Sequence, residues 1–178
     1  MDILETERLI LRELAPTDLD FVAAMMGNGE VTRYYGRRFD RADAEVWLDQ
    51  QLERYQVDGH GLWLVLDRQA GAPVGQVGLM LQEVEGQELP EIGWLLHRPY
   101  WGRGYATEAA AATRDAAFTR WHYGAVISLI RPENTSSQRV ARRIGMQPGR
   151  LVHFEGFDHL MLEVSAPGTG RAAATPCQ

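Results

Sequence analysis

Between residues 4 and 12, "LETERLILR", apolar and polar positions alternate through Leu9 and Leu11, which predicts a strand. "APTDLDFVAAMMG" follows as a helix, with Thr17 as its N-cap and Gly27 as its stop. "NGEVTRYYGRRF" has no period and is aromatic and basic, so it reads as irregular. In "DRADAEVWLDQQLERYQ", Val46, Leu48, Leu52 and Tyr55 fall near helical spacing and predict an amphipathic helix. Three strands come next: "GLWLVLD", "VGQVGLMLQEVE" after an "AGAPVG" turn, and "LPEIGWLLH", which is apolar on both faces. A helix is predicted over about 105–121, then a strand at "GAVISLI" that Pro132 stops, and a short helix in "NTSSQRVARRIG" ending at Gly145. "QPGRLVHFEGFDHLMLEVS" reads as a closing hairpin, and the small polar tail 166–178 as disordered. The order contains one βαβ unit, in the middle of the chain. It predicts an α/β (α+β) mixed sheet and not a doubly wound one.

Composition narrows the class without changing that picture. A chain of 178 residues with 45% apolar and 24% charged residues is expected to form one globular domain, over 1–165. A net charge of −6 argues against nucleic acid as the main partner. The 18 cationic residues are all arginine. The single cysteine, Cys177, makes a disulfide scaffold, a cysteine metal site or an internal cysteine nucleophile an unsuitable reading. The five histidines show no metal-ligand spacing, so no metal is expected. No apolar run approaches the roughly 18 residues of a membrane span, and the start lacks a signal segment. A cytoplasmic protein with no membrane partner is expected, and a homodimer is left open.

Chemistry concentrates in "RPYWGRGYATEA", where Gly102, Arg103 and Gly104 stand between a strand and a helix. A helix N-terminus offers unpaired N–H groups and partial positive charge, and glycine lets a ligand approach the backbone closely. The fitting ligand is a phosphate or pyrophosphate; a plain strand-to-helix corner is the alternative. A nicotinamide fingerprint fails because Thr107 stands at its third position and further βαβ units are missing. In "NTSSQRVARRIGM", Asn134 is a natural N-cap, and Ser137 shares the inward face of Val140, Ala141 and Ile144.

"PYWGRGYATEA" resembles the coenzyme A pyrophosphate loop of GNAT-superfamily acyltransferases, and is most similar to the RimJ/RimL-like branch. Gly104 and Ala106 fill the last two positions of the loop pattern, while Trp101 stands where Gln or Arg is more usual. "TERLILREL", "PVGQVGL", "EIGWLLHRPYWG" and "ENTSSQRVARRIGM" extend the resemblance in the same order over roughly residues 5 to 165. It implies a GNAT fold: a mostly antiparallel sheet of about seven strands, splayed at its centre and flanked by about four helices. It also implies an N-acetyltransferase that moves acetyl from acetyl-CoA to a primary amine, on a protein N-terminus or a small molecule. Coenzyme contacts are then expected from Trp94, Leu95 and Leu96 on the strand. The loop residues Trp101, Gly102, Arg103, Gly104, Tyr105, Ala106 and Thr107, and Asn134 and Ser137, complete the set. Leu95 or Leu96 would supply the amide that polarises the acyl carbonyl. Glu91 is the expected base, with Asp158 and Glu13 as weaker alternatives, and Ser137 the acid for the leaving thiolate. Tyr34, Tyr35 and Asp158 are expected at the acceptor, with Arg37, Arg38 and Trp47 as further candidates. A non-catalytic acyl-CoA-binding or regulatory domain on the same fold is the competing reading.

Overall fold

The computed structural model describes residues 2–168. Its centre is one eight-stranded sheet in the order β1-β2-β3-β4-β5-β6-β8-β7. The strands are β1 (Asp2–Glu5), β2 (Leu9–Arg12), β3 (Leu62–Asp67), β4 (Pro73–Val84), β5 (Gln87–Leu96), β6 (Ala125–Ile130), β7 (Gln147–Phe154) and β8 (Phe157–Ser165). All neighbours are antiparallel except β5 and β6. Four helices accompany them: α1 (Leu19–Met26), α2 (Arg41–Val57), α3 (Tyr105–Thr119) and α4 (Thr135–Arg143).

The expected strand over 4–12 is two strands. Thr6 breaks it: its hydroxyl oxygen accepts the Leu9 N–H at 3.0 Å, and its own N–H donates to the Leu9 carbonyl at 2.9 Å. This local turn folds β1 back on β2, so the sheet has eight strands where about seven were expected. The start of α1 also differs. A 3₁₀ turn at Pro16–Asp18 precedes it, and Asp18, not Thr17, takes the Ala15 N–H at 2.8 Å while pairing with Arg12. Gly27 closes α1 as expected.

A reciprocal capping box starts α2: Asp40 accepts from the Asp43 N–H at 2.9 Å and Asp43 accepts from the Asp40 N–H at 3.0 Å. Its buried seam is Ala44, Leu48, Gln51 and Tyr55. Val46, read from the sequence as part of the apolar face, is 58% exposed. The expected disordered tail falls from residue 169 onward outside the described residues, as does Cys177. Ala166, within them, donates to Gly124 O at 2.8 Å. Among the described residues no helix is long and apolar enough to cross a membrane.

The core runs through both sides of the sheet, with Leu9, Leu11, Leu64, Val77, Leu79 and Ile92 at its centre. Small residues of α3, Ala109, Ala110 and Ala117, are fully buried and let this helix lie close to the sheet. One consequence decides the site. β5 and β6 are parallel neighbours joined by a single register pair, Glu91 with Ile127. Beyond it they part, leaving a wedge between β5 on one side and β6 with α4 on the other.

Candidate functional site

The wedge has a definable polarity. β4 and β5 pair in unbroken register from Gly75–Leu96 to Val84–Gln87. Successive peptide groups along a regular strand point to alternate sides. The Ile92 carbonyl accepts the Ser128 hydroxyl at 2.7 Å, so it points toward β6. By that alternation the peptide groups of Trp94 and Leu96 also point away from β4 into the wedge, while those of Gly93 and Leu95 turn to β4. Of the two residues expected to offer an amide, Leu96 is therefore the one placed to do so. The Leu96 carbonyl accepts the Trp101 Nε1–H at 2.7 Å, and its N–H remains directed at the opening.

The glycine loop closes one end. Gly102 and Gly104 have φ of 75° and 82°, left-handed values that glycine adopts without strain. Gly104 is the N-cap of α3. A Cβ on Gly102 would meet nothing within 4 Å, and one on Gly104 only the Arg8 guanidinium at 3.4 Å. Open space thus stands over the loop and the unpaired N–H groups of the helix start, the arrangement that suits a phosphate. Tyr105 turns inward and donates its hydroxyl to Asp67 at 2.7 Å, so its backbone is the part that faces the loop. Arg103 does not line the cavity; it lies over the Tyr100 ring at 5.3 Å.

Loop and wedge open into one cavity of about 610 Å³. Trp94, Leu95, Leu96, Trp101, Gly102, Gly104, Tyr105, Ala106 and Thr107 line it from β5, the glycine loop and the start of α3. Asn134, Ser137, Arg139 and Arg143 line it from α4, whereas Arg142 does not. Asn134 caps α4 by accepting the Ser137 N–H at 3.1 Å, which leaves its amide nitrogen as the group with donors to offer. The Ser137 hydroxyl oxygen accepts the Trp94 Nε1–H at 3.3 Å, so its own proton is available to another acceptor.

Glu91 sits at the apex, 8% exposed. One carboxylate oxygen accepts the Leu129 N–H at 3.1 Å, a donor that the diverging strands no longer satisfy, and the other accepts the Gln82 amide at 3.0 Å. Burial pushes its pKa up to about 7 against the pull of these two donors, and the nearby Glu155 charge adds to the rise.

Three comparisons with known proteins join this geometry. The model of the acetyltransferase (GNAT) domain matches residues 8–147. The chain belongs to the GNAT acetyltransferase family. It is similar to the uncharacterized protein YkkB of Bacillus subtilis strain 168, 33% identical over 150 residues, 84% of this chain and 87% of that one. It is 27% identical to the uncharacterized N-acetyltransferase p20 of Bacillus licheniformis, covering 92% of this chain and 93% of that one. Among solved structures, the acetyltransferase from Agrobacterium tumefaciens C58 superposes with a TM-score of 0.81 at 31% identity, over 92% of this chain and 94% of that one. The fold is the GNAT fold, and the protein is an N-acetyltransferase.

At the far end of this GNAT cavity the walls are Tyr34, Tyr35, Trp47, Phe154 and Phe157. Tyr35 is 38% exposed at the mouth, yet crowding protein and the charges of Glu91 and Glu155 raise its hydroxyl pKa. Asp158 lies outside, in a separate depression, with its carboxylate 3.2 Å from His153 Nδ1. Glu13, Arg37 and Arg38 do not line the cavity either, and Arg37 pairs with Asp43 at 2.8 Å. The sequence reading passed over Gln51, Arg54, Gln82, Glu155 and His159, all of which line it. The i, i+3 spacing of Gln51 and Arg54 on α2 was the available signal, and it placed them on one helix face without saying what the face meets.

Proposed function

We propose that this GNAT enzyme transfers acetyl directly from acetyl-CoA to a primary amine, as a cytoplasmic protein of the RimJ/RimL-like branch. The carrying observation is the wedge itself: the Trp94 peptide groups and the Leu96 N–H turned away from β4, an open helix N-terminus at one end, and a buried carboxylate at the apex. Coenzyme A has the matching parts, an amide-bearing pantetheine arm to add along β5 and a pyrophosphate for the Gly102–Gly104 backbone. Arg139 and Arg143 supply further positive charge on the opposite wall. The motif order from "TERLILREL" to "ENTSSQRVARRIGM" supports the branch.

Chemistry follows from the side chains. Glu91, with a pKa of about 7, takes the proton of the incoming ammonium and frees its lone pair. The amine nitrogen attacks the thioester carbonyl carbon, and the oxygen gains negative charge, which the Leu96 N–H stabilises. As the adduct collapses, its nitrogen releases its second proton to solvent and the C–S electron pair passes to sulfur. Ser137 gives its hydroxyl proton to the thiolate and recovers one from solvent, with the Trp94 indole N–H holding the oxygen in place. The amide, coenzyme A thiol and one proton leave. No covalent enzyme intermediate is needed.

The test is release of free thiol from acetyl-CoA in the presence of a mixed pool of primary amines and peptide N-termini, with the products identified by mass spectrometry. Acetylated amine appearing in step with thiol supports the reading. Thiol release without any acetylated amine, or neither, contradicts it.

A further inference from the structure

The acceptor end of the cavity carries donors that are only partly matched by acceptors. Gln51 is 2% exposed and lines the cavity from α2. Its Oε1 accepts the Leu62 N–H at 2.9 Å, and since that partner can only donate, the amide orientation is fixed and Nε2 must face the other way. That Nε2 makes no hydrogen bond among the described residues. Three residues on, the half-buried Arg54 lines the same wall. Its Nη1 donates to the Leu81 carbonyl at 2.9 Å, and the guanidinium forms no ion pair among the described residues. Arg131, also in the cavity lining, holds Glu133 at 2.7 Å, although its Nε is buried without a hydrogen-bond partner among the described residues. Gln82, the neighbour of Leu81 on β4, bonds Glu91, and the Arg54 charge acts on the Glu91 carboxyl, so Arg54 lies near the base.

A half-buried cation without an ion pair, beside an amide N–H₂ that makes no hydrogen bond among the described residues, gains most from a ligand that supplies acceptors to both. We infer that Arg54 and Gln51 bind a carboxylate on the acceptor, which makes the acceptor an amine that also carries a carboxylate group. This rests on the proposed acetyl transfer. The carboxylate belongs either to a free amino acid or to an acidic side chain near a peptide N-terminus; both present the same chemistry. A planar guanidinium with an adjacent amide donor suits both oxygens of a carboxylate. Glu155, also without an ion pair, is exposed on the β7–β8 turn, where solvent satisfies it. It offers the opposite preference, for a second cationic group.

The experiment measures kcat/KM with acetyl-CoA for L-amino acids, their carboxamides, ω-amino acids, linear diamines, and short peptides that begin with Asp, Glu, Asn or Gln. Amino-carboxylates are expected to exceed their own amides by about tenfold to a hundredfold, the range for a hydrogen-bonded charge. Arg54→Met should pull that ratio toward one, mainly through KM, and Arg54→Lys should restore part of it. Thermal stabilisation by coenzyme A shows that each variant is folded. Preference for free amino acids over acidic peptides, or the reverse, identifies the source of the carboxylate. Diamines or amides used as well as carboxylates, a ratio unchanged in Arg54→Met, or no amino-carboxylate acetylated overturns the inference while acetyl transfer to another amine keeps the proposed function. Acetyl transfer to no amine at all, with no coenzyme stabilisation, overturns both.

Discussion

Replacing Glu91 by Gln separates catalysis from stability in one variant, because the structure predicts opposite changes in the two. The Glu91 carboxyl has a pKa of about 7 in the folded protein against an ordinary 4.5. Between these pH values the folded state holds a proton that the unfolded chain has released, so stability falls as pH rises through this window. The gap between 4.5 and about 7, at about 1.4 kcal/mol per pH unit, sets the loss at about 3 kcal/mol above pH 7. Glutamine is a neutral isostere and can accept the Leu129 N–H, although the Gln82 amide must turn over to meet it. Glu91→Gln should therefore unfold several degrees higher than the parent at pH 8, since about 1 kcal/mol moves the midpoint of a domain this size by about 2–4 °C. At pH 4.5 the two proteins should nearly coincide. Activity should move the other way, with kcat/KM reduced about a hundredfold or more. In the parent, kcat/KM should rise with pH through a midpoint near 7, and the variant should lose that step. Thermal unfolding at both pH values and a pH–rate profile read these outcomes. Equal midpoint shifts at pH 4.5 and 8 would refute the burial argument, and an unchanged pH profile would remove Glu91 as the base.

Three further substitutions probe the cavity. Gly104→Val places a β-branched side chain at φ 82°, costing about 1–2 kcal/mol of stability, and fills the space above the helix start. Its dissociation constant for coenzyme A, read by calorimetry, should rise at least tenfold (about 1.4 kcal/mol), and an unaltered constant speaks against the loop. Ser137→Ala should lower kcat about tenfold to a hundredfold while leaving the coenzyme dissociation constant near the parent value. A kcat equal to that of the parent would show that solvent protonates the thiolate. Asp158→Asn should leave KM for the acceptor unchanged, because the side chain faces a different depression, and a raised KM would bring the hairpin tip into the acceptor site.

Much of the sheet was legible because its signals are local. The apolar run at 62–66 marks β3, the run at 92–96 marks the end of β5, and the glycines mark the start of α3. The alternation in 4–12 was equally clear, but it could not register that Thr6 would bond the Leu9 backbone and fold the segment in two. On α2 the apolar Val46 was assigned inward, while the buried face admits Gln51, because a polar side chain there meets a backbone N–H and a cavity and not solvent. Choosing between Leu95 and Leu96 needed knowledge of which side each peptide group faces, and the Ser128–Ile92 and His97–Val74 bonds supply it. Arg54 could not be recognised for a similar reason. Sequence places it on a helix, and the partnerless cavity wall exists only once α2, β4 and β5 are packed together.

The central claim is that the wedge between β5 and β6, with the Gly102–Gly104 loop, binds acetyl-CoA. Thermal unfolding with acetyl-CoA, desulfo-coenzyme A, ATP and NAD tests it most directly. Acetyl-CoA and desulfo-coenzyme A at about 100 times their dissociation constants should each add roughly 2.7 kcal/mol and raise the midpoint, with ATP and NAD much weaker. An unmoved midpoint with both coenzyme A ligands, or an equal shift with NAD, would contradict the account.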